Sequence, residues 1–124
     1  MTGFRLFAVL LVFIGMLLVA CGGETPTLSD PALIRGERVF KRDCATCHST
    51  KSGVNLVGPS LAGIASRAGT REEGMDSRGY IQLSIIKPSE YVVDGFVDQM
   101  PTTFGSSLTE EELENVIAYL MTLE

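Results

Sequence analysis

Residues 44–48 read Cys-Ala-Thr-Cys-His. This pentapeptide holds the one histidine of the chain and two of its three cysteines. A structural zinc site takes four ligands, usually cysteine or histidine. Cys44, Cys47 and His48 supply only three, and adjacent Cys47 and His48 are poorly arranged to chelate one ion together. A thioredoxin-like dithiol needs a strand before it and a helix after it, whereas here a helical pattern comes first. A plain disulfide would leave His48 without a role.

The remaining reading is covalent haem attachment, C-x-x-C-H. Side chains at i and i+3 on a helical turn lie about 5–6 Å apart on one face. Two thiols so placed can meet the two vinyl groups along one haem edge. His48, four residues after Cys44, then comes under the iron as the proximal ligand. The cofactor is one covalent haem c, held by Cys44 and Cys47.

The other axial position calls for a soft ligand, and methionine is the usual partner where the task is electron transfer. Met1 and Met16 fall in the N-terminal apolar segment. Met121 lies in the last helical segment, where methionine usually packs. Met75 lies in a charged, glycine-rich loop. Met100 lies among Phe96, Val97 and Phe104, directly before Pro101, and is the candidate.

The 124 residues suit one domain. After Arg5 comes an unbroken apolar run, residues 6–20. As a helix it would span only about 22 Å, short of the ~30 Å hydrocarbon core. A positive start, a short apolar stretch and small residues at its end describe a secretory signal. "LVAC", residues 18–21, resembles a bacterial lipobox. That resemblance implies a signal peptide over 1–20, a lipid on Cys21 and a flexible tether over 21–29. A retained signal anchor is the alternative. Either way the domain over 30–124 lies on the outer face of the bacterial cytoplasmic membrane, since positive charge stays inside. The net charge of −5, more negative once Arg5 is removed, excludes nucleic acid as a partner. It leaves docking against a basic protein surface, or plain solubility, as its use.

Along the domain, Asp30 and Pro31 open a helix in which Leu33, Gly36 and Phe40 share one face. Glycine inside a helix costs about 1 kcal/mol against alanine, so Gly36 implies close approach by another helix. Residues 49–75 are glycine-rich loop with one short helix near 61–65. A second helix over 78–87 is stopped by Pro88, and 91–107 reads as irregular. Thr109 and Glu112 form a capping box, with Leu108 and Leu113 at the staple positions. Leu113, Val116, Ile117 and Leu120 then line one apolar face. Glu110, Glu111 and Glu112 match the helix dipole rather than a metal site. The pattern predicts an all-α domain whose long loops need an apolar cofactor to organise them.

"GERVFKRDCATCH", "GPSLAGIASR", "MP" and "NVIAYL" together resemble a class I cytochrome c over residues 30–123. The resemblance implies that fold, about three to five helices around one covalent haem. It implies that Gly36 and Phe40 pack on the last helix near Tyr119. The carbonyl of Pro59 would accept a hydrogen bond from the proximal histidine. Arg67 would meet a haem propionate, with Arg71 and Arg78 as rivals. "YIQLSIIKPSEYVVDGFVDQMP" is similar to bacterial members attached to membrane oxidases. With three lysines, the chain departs from the basic mitochondrial members, so their docking rule does not carry over.

The expected function is electron transfer by a membrane-tethered monohaem cytochrome c. It would serve as subunit of, or donor to, a respiratory or photosynthetic membrane complex. The partners would be that complex or a terminal oxidase, another redox protein, and the membrane through the lipid. The protein itself catalyses no bond-making. The rival readings are a haem sensor or enzyme with an open sixth position, and a haem-free dithiol redox lipoprotein.

Overall fold

The computed structural model describes residues 30–124. The expected signal peptide, the expected lipid site at Cys21 and the expected tether lie outside the described residues. Helix α1, Pro31–Val39, begins where the Asp30 carboxylate accepts from the Ala32 N–H at 2.7 Å. It passes without a break into a π-helical turn, Phe40–Cys44, in which Ala45 N–H donates to the Phe40 carbonyl at 2.9 Å. Phe40, at the start of that turn, is buried, and Cys44, at its end, lines a cleft.

Helix α2, Ile64–Arg67, starts later than the expected 61–65. Gly63, at φ 69°, occupies its N-cap in the left-handed region. That conformation suits glycine and cannot lie inside a right-handed helix. A 3₁₀ turn, Ala68–Thr70, follows directly. Helix α3, Ser77–Ile86, is capped by Asp76, which accepts from Gly79 N–H at 2.7 Å, and Pro88 follows its end as expected. The stretch read as irregular contains a helical turn, α4 (Phe104–Ser107). Helix α5, Glu110–Leu120, carries the complete capping box between Thr109 and Glu112. These five α-helical segments, with no strand among the described residues, make the domain all-α.

The core forms where α1 crosses α5. A Cβ on Gly36 would lie 2.0 Å from the Asn115 carbonyl oxygen and 2.8 Å from Tyr119 Cβ. Gly36 thus lets the two backbones touch, and the rings of Phe40 and Tyr119 meet 5.6 Å apart. Val116, Ile117 and Leu120 from α5 and Tyr80, Ile81 and Ile85 from α3 complete the buried cluster. Leu108 and Leu113, the staple pair, pack against its edge. Surface ion pairs run alongside: Arg35 with Glu111 at 3.3 Å and Arg42 with Glu112 at 2.8 Å. Tyr80, Ile81, Ser84 and Ile85 of α3, Leu120 of α5, Ile64 and Arg67 of α2 and Phe104 of α4 line a cleft whose other lining residues come from the Phe40–Cys44 turn and the loops.

Candidate haem site

His48 N–H donates to the Cys44 carbonyl at 2.9 Å and Cys47 N–H to the same oxygen at 3.0 Å. That single turn brings Cys44, Cys47 and His48 to one cleft, and all three line it. The two cysteines are not joined to each other. The cleft is open to solvent at one side. Its walls are largely apolar, with Leu61, Ile81, Ile85, Phe96 and Leu120 among them. A lining so long and so largely apolar suits an extended apolar group.

His48 Nδ1 lies 2.8 Å from the Pro59 carbonyl oxygen. A carbonyl can only accept, so Nδ1 carries the hydrogen and Nε2 keeps its lone pair for a metal. The loop bearing Pro59 is tied down on both sides. Gly58 N–H donates to the Cys47 carbonyl at 2.8 Å and Leu61 N–H to the Ser49 carbonyl at 2.7 Å. Ser60 N–H donates to Asn55 Oδ1 at 3.0 Å, and Ser60 Oγ donates to the Lys51 carbonyl at 2.7 Å. These bonds hold the Pro59 oxygen in register with the imidazole. Such outer contacts set the ring's orientation and its basicity toward a metal.

Three of these residues escaped the sequence reading as parts of the site: Gly58, Asn55 and Ser60. Gly58 is the most exacting, since a Cβ there would sit 2.4 Å from His48 Cε1. Its signal was a glycine directly before the proline whose carbonyl holds the histidine. Asn55 and Ser60 gave no signal, because their bonds are made only once the loop is closed.

Met100 lines the cleft. Met75 instead packs beside Gly79, its Cγ 3.3 Å from where a Cβ would stand, and neither it nor Met121 is among the lining residues. Arg67 and Arg71 both line the cleft, whereas Arg78 pairs with Glu114 on α5. The Arg67 guanidinium donates to the carbonyls of Ser60 and Ala62, so it braces the same loop. Burial first, and Arg71 second, lower its affinity for its proton. Arg71 makes no ion pair with a described residue. Tyr80 and Tyr91 meet edge to face, 5.4 Å between centroids, in the same wall.

The Cys44 thiol is pushed up to about 11, first by burial and then by the Asp43 carboxylate. At neutral pH it is a thiol, the opposite of the exposed, low-pKa thiolate that disulfide exchange requires. Among the described residues no group of three or more His, Cys, Asp and Glu side chains could hold a bare metal ion. The donor set therefore fits an iron macrocycle and not a chelated ion. It comprises two thiols, one imidazole with a free Nε2, one thioether and two guanidinium groups, gathered round an apolar cleft.

The cytochrome c family model matches residues 33–124, which takes in every residue of this cleft. The chain belongs to the cytochrome c family. Family membership brings a covalent haem c, with Cys44 and Cys47 in the attachment motif and His48 beside them. Cytochromes c are electron carriers, and this chain is one by that membership. It is 31% identical to a cytochrome c6 of Synechococcus sp. over 78% of this chain and 79% of the relative. It is 26% identical to the cytochrome c of Euglena viridis over 73% of this chain and 95% of the relative. It is 32% identical to the photosystem II extrinsic protein V of Picosynechococcus sp. over 79% of this chain. There the match spans 61% of the relative's own length.

Proposed function

We propose that this cytochrome c is a membrane-tethered electron carrier in which His48 and Met100 are the two axial ligands. The observation that carries the reading is the His48 Nδ1 bond to Pro59, which leaves Nε2 free in a cleft that Met100 also lines. Bound there, the haem supplies a one-electron iron couple. Cys44 and Cys47 hold it covalently, so it is not lost between partners. The Pro59 carbonyl keeps the imidazole oriented, and the Met100 thioether, a soft ligand, favours the ferrous state. The apolar walls keep water from the iron. Arg71 and Arg67 stand in the same cleft as countercharges for haem carboxylates. Two retained axial ligands mean little rearrangement on electron transfer.

The tether and the lipid on Cys21 rest on the lipobox-like "LVAC" and the short apolar run before it. On that reading the domain sits on the outer face of a bacterial cytoplasmic membrane. The partner would be a respiratory or photosynthetic membrane complex. The likeness to a protein named as an extrinsic part of photosystem II supports a membrane complex as the partner class. A short tether raises the local concentration of the carrier at such a partner.

The open-iron alternative lacks a second histidine for acid–base work. The haem-free dithiol alternative leaves the apolar cleft and the Pro59-held imidazole of His48 without a role. The test is an absorption spectrum of the haem-loaded protein, oxidised and reduced, with carbon monoxide added to the reduced sample. The expected result is a low-spin spectrum with the weak far-red iron–sulfur band and no response to the gas. Met100→Ala should abolish the band and admit carbon monoxide. A high-spin wild-type spectrum, or a band that survives Met100→Ala, would refute the ligand set. Mass spectrometry of the N-terminal peptide checks the lipid on Cys21.

A further inference from the structure

Four charged side chains line the cleft: Asp43, Arg67, Arg71 and Asp98. Among the described residues, Asp43 is the only one of the four held in an ion pair. Its partner is Arg42, the residue before it. Residues i and i+1 of a helix do not face each other. The Arg42 guanidinium is nevertheless turned back onto both Asp43 oxygens, with Nε 3.0 Å from each and Nη2 2.7 Å from Oδ2.

The third nitrogen, Nη1, donates to Glu112 Oε1 on α5 at 2.8 Å. Glu112 is itself fixed. Its Oε2 accepts from Thr109 N–H at 3.0 Å, and its own N–H donates to Thr109 Oγ1 at 3.1 Å. Arg42 is therefore pinned between the turn that carries Cys44 and the capped start of α5. An exposed ion pair contributes little to stability by itself. The place of this one is what matters. The Asp43 side chain is 22% exposed and the Arg42 side chain 55%, so the carboxylate stands at the cleft and the guanidinium behind it. Burial is the first cause that raises the Cys44 thiol, and of the charges beside it Asp43 raises it further while Arg42 lowers it. The two charges thus act with opposite sign at a sulfur of the attachment motif.

We propose that Asp43 and Arg42 tune the reduction potential of the haem as an opposed pair, the carboxylate favouring ferric iron and the guanidinium offsetting it. The proposal rests on the electron-carrier reading above. Ferric iron carries one more positive charge than ferrous iron, so a nearby anion stabilises the oxidised form and a nearby cation the reduced form. Neither residue ligates the iron; both act through the field at the cleft. Glu112 is not among the lining residues, and its part is to hold Arg42 in place. Arg67, Arg71 and Asp98 add fields of their own and set the baseline. The pair's sign is therefore read from its variants and not from the absolute potential.

The test is a spectroelectrochemical titration of the haem-loaded protein at neutral pH, in low and in high salt. Asp43→Asn should raise the potential and Arg42→Gln should lower it. Each shift should be about threefold to tenfold in the ferric-to-ferrous equilibrium, or about 30–60 mV at 59 mV per tenfold for one electron. The double variant should lie between the two. Salt should shrink both shifts, because the guanidinium is half exposed. Arg35→Gln removes the same charge from a pair with Glu111 away from the cleft, and should leave the potential within twofold of wild type. Shifts of the same sign in both single variants, with high-spin absorption, would show a structural brace and overturn the proposal. So would potentials that stay at the wild-type value, or an Arg35→Gln shift as large as that of Arg42→Gln. The wild type separates the two levels of inference. If it takes up no electron reversibly, the electron-carrier reading falls and this one with it. If it does, and the variants show no opposed shifts, only the tuning pair fails.

Discussion

Gly36→Ala sets two rules against each other. In an exposed helix, alanine in place of glycine stabilises by about 1 kcal/mol. Here the new Cβ would fall 2.0 Å from the Asn115 carbonyl oxygen, 2.6 Å from its carbon and 2.8 Å from Tyr119 Cβ. Two of these atoms belong to the α5 backbone, so no rotamer change relieves them. Ordinary contact begins at 3.4 Å, so α1 and α5 must part by about 1.4 Å. Overpacking of this kind costs about 1–3 kcal/mol. Parting also loosens the Phe40–Tyr119 ring contact, worth roughly 0.5–1.5 kcal/mol beyond its buried area. Set against the propensity gain, the net loss is about 2 kcal/mol. For a domain of this size each kcal/mol moves Tm by about 4–8 °C, so Tm should fall by roughly 8–16 °C. Thermal and urea unfolding of the haem-loaded protein, read by far-ultraviolet circular dichroism, measures it. A variant as stable as wild type, or more stable, would show that propensity governs position 36 and that the helix contact is loose.

At the haem site, Gly58→Ala puts a Cβ 2.4 Å from His48 Cε1. We expect haem still attached through Cys44 and Cys47, a rise in high-spin absorption as the imidazole is displaced, and a stability loss of about 1–3 kcal/mol; an unchanged spectrum would refute the close approach. At the surface, the Thr109 N–H and then the Arg42 guanidinium hold the Glu112 carboxyl below its ordinary value of 4.5. A depressed carboxyl contributes stability that is present above the ordinary value and lost as pH falls through the lower, folded one. The stability difference between wild type and Glu112→Ala should therefore shrink on acidification below that value, and a difference that stays constant across the titration would disprove the assignment.

What the sequence determined by itself is the set of features whose physics closes within a few residues. The turn carrying Cys44, Cys47 and His48 is one, because a four-residue helical bond fixes it. The capping box of Thr109 and Glu112 and the stop at Pro88 are others. The need for a haem was legible for the same reason, since motif, loops and sparse core pointed one way. Gly36 announced a helix contact, but only the tertiary structure decided that its partners are Asn115 and Tyr119.

One choice among like residues was also left to the fold. Met100 was singled out by its apolar neighbours and Pro101, whereas Arg67 was named only through the resemblance, with Arg71 and Arg78 as rivals. The fold brings Met100 to the cleft and leaves Met75 against Gly79. It brings both Arg67 and Arg71 there, commits Arg67 to loop carbonyls, and turns Arg78 to Glu114. The helical turn at Phe104 and the late start of α2 were missed because each depends on packing or on a left-handed glycine that no periodicity encodes. Side chains that act through closed loops, such as Asn55 on Ser60, acquire their partners only when distant segments meet. Local hydrogen bonding and sterics can be read from neighbours in the chain, but a site assembled from four separate segments exists only after the entropy of closing the loops between them has been met.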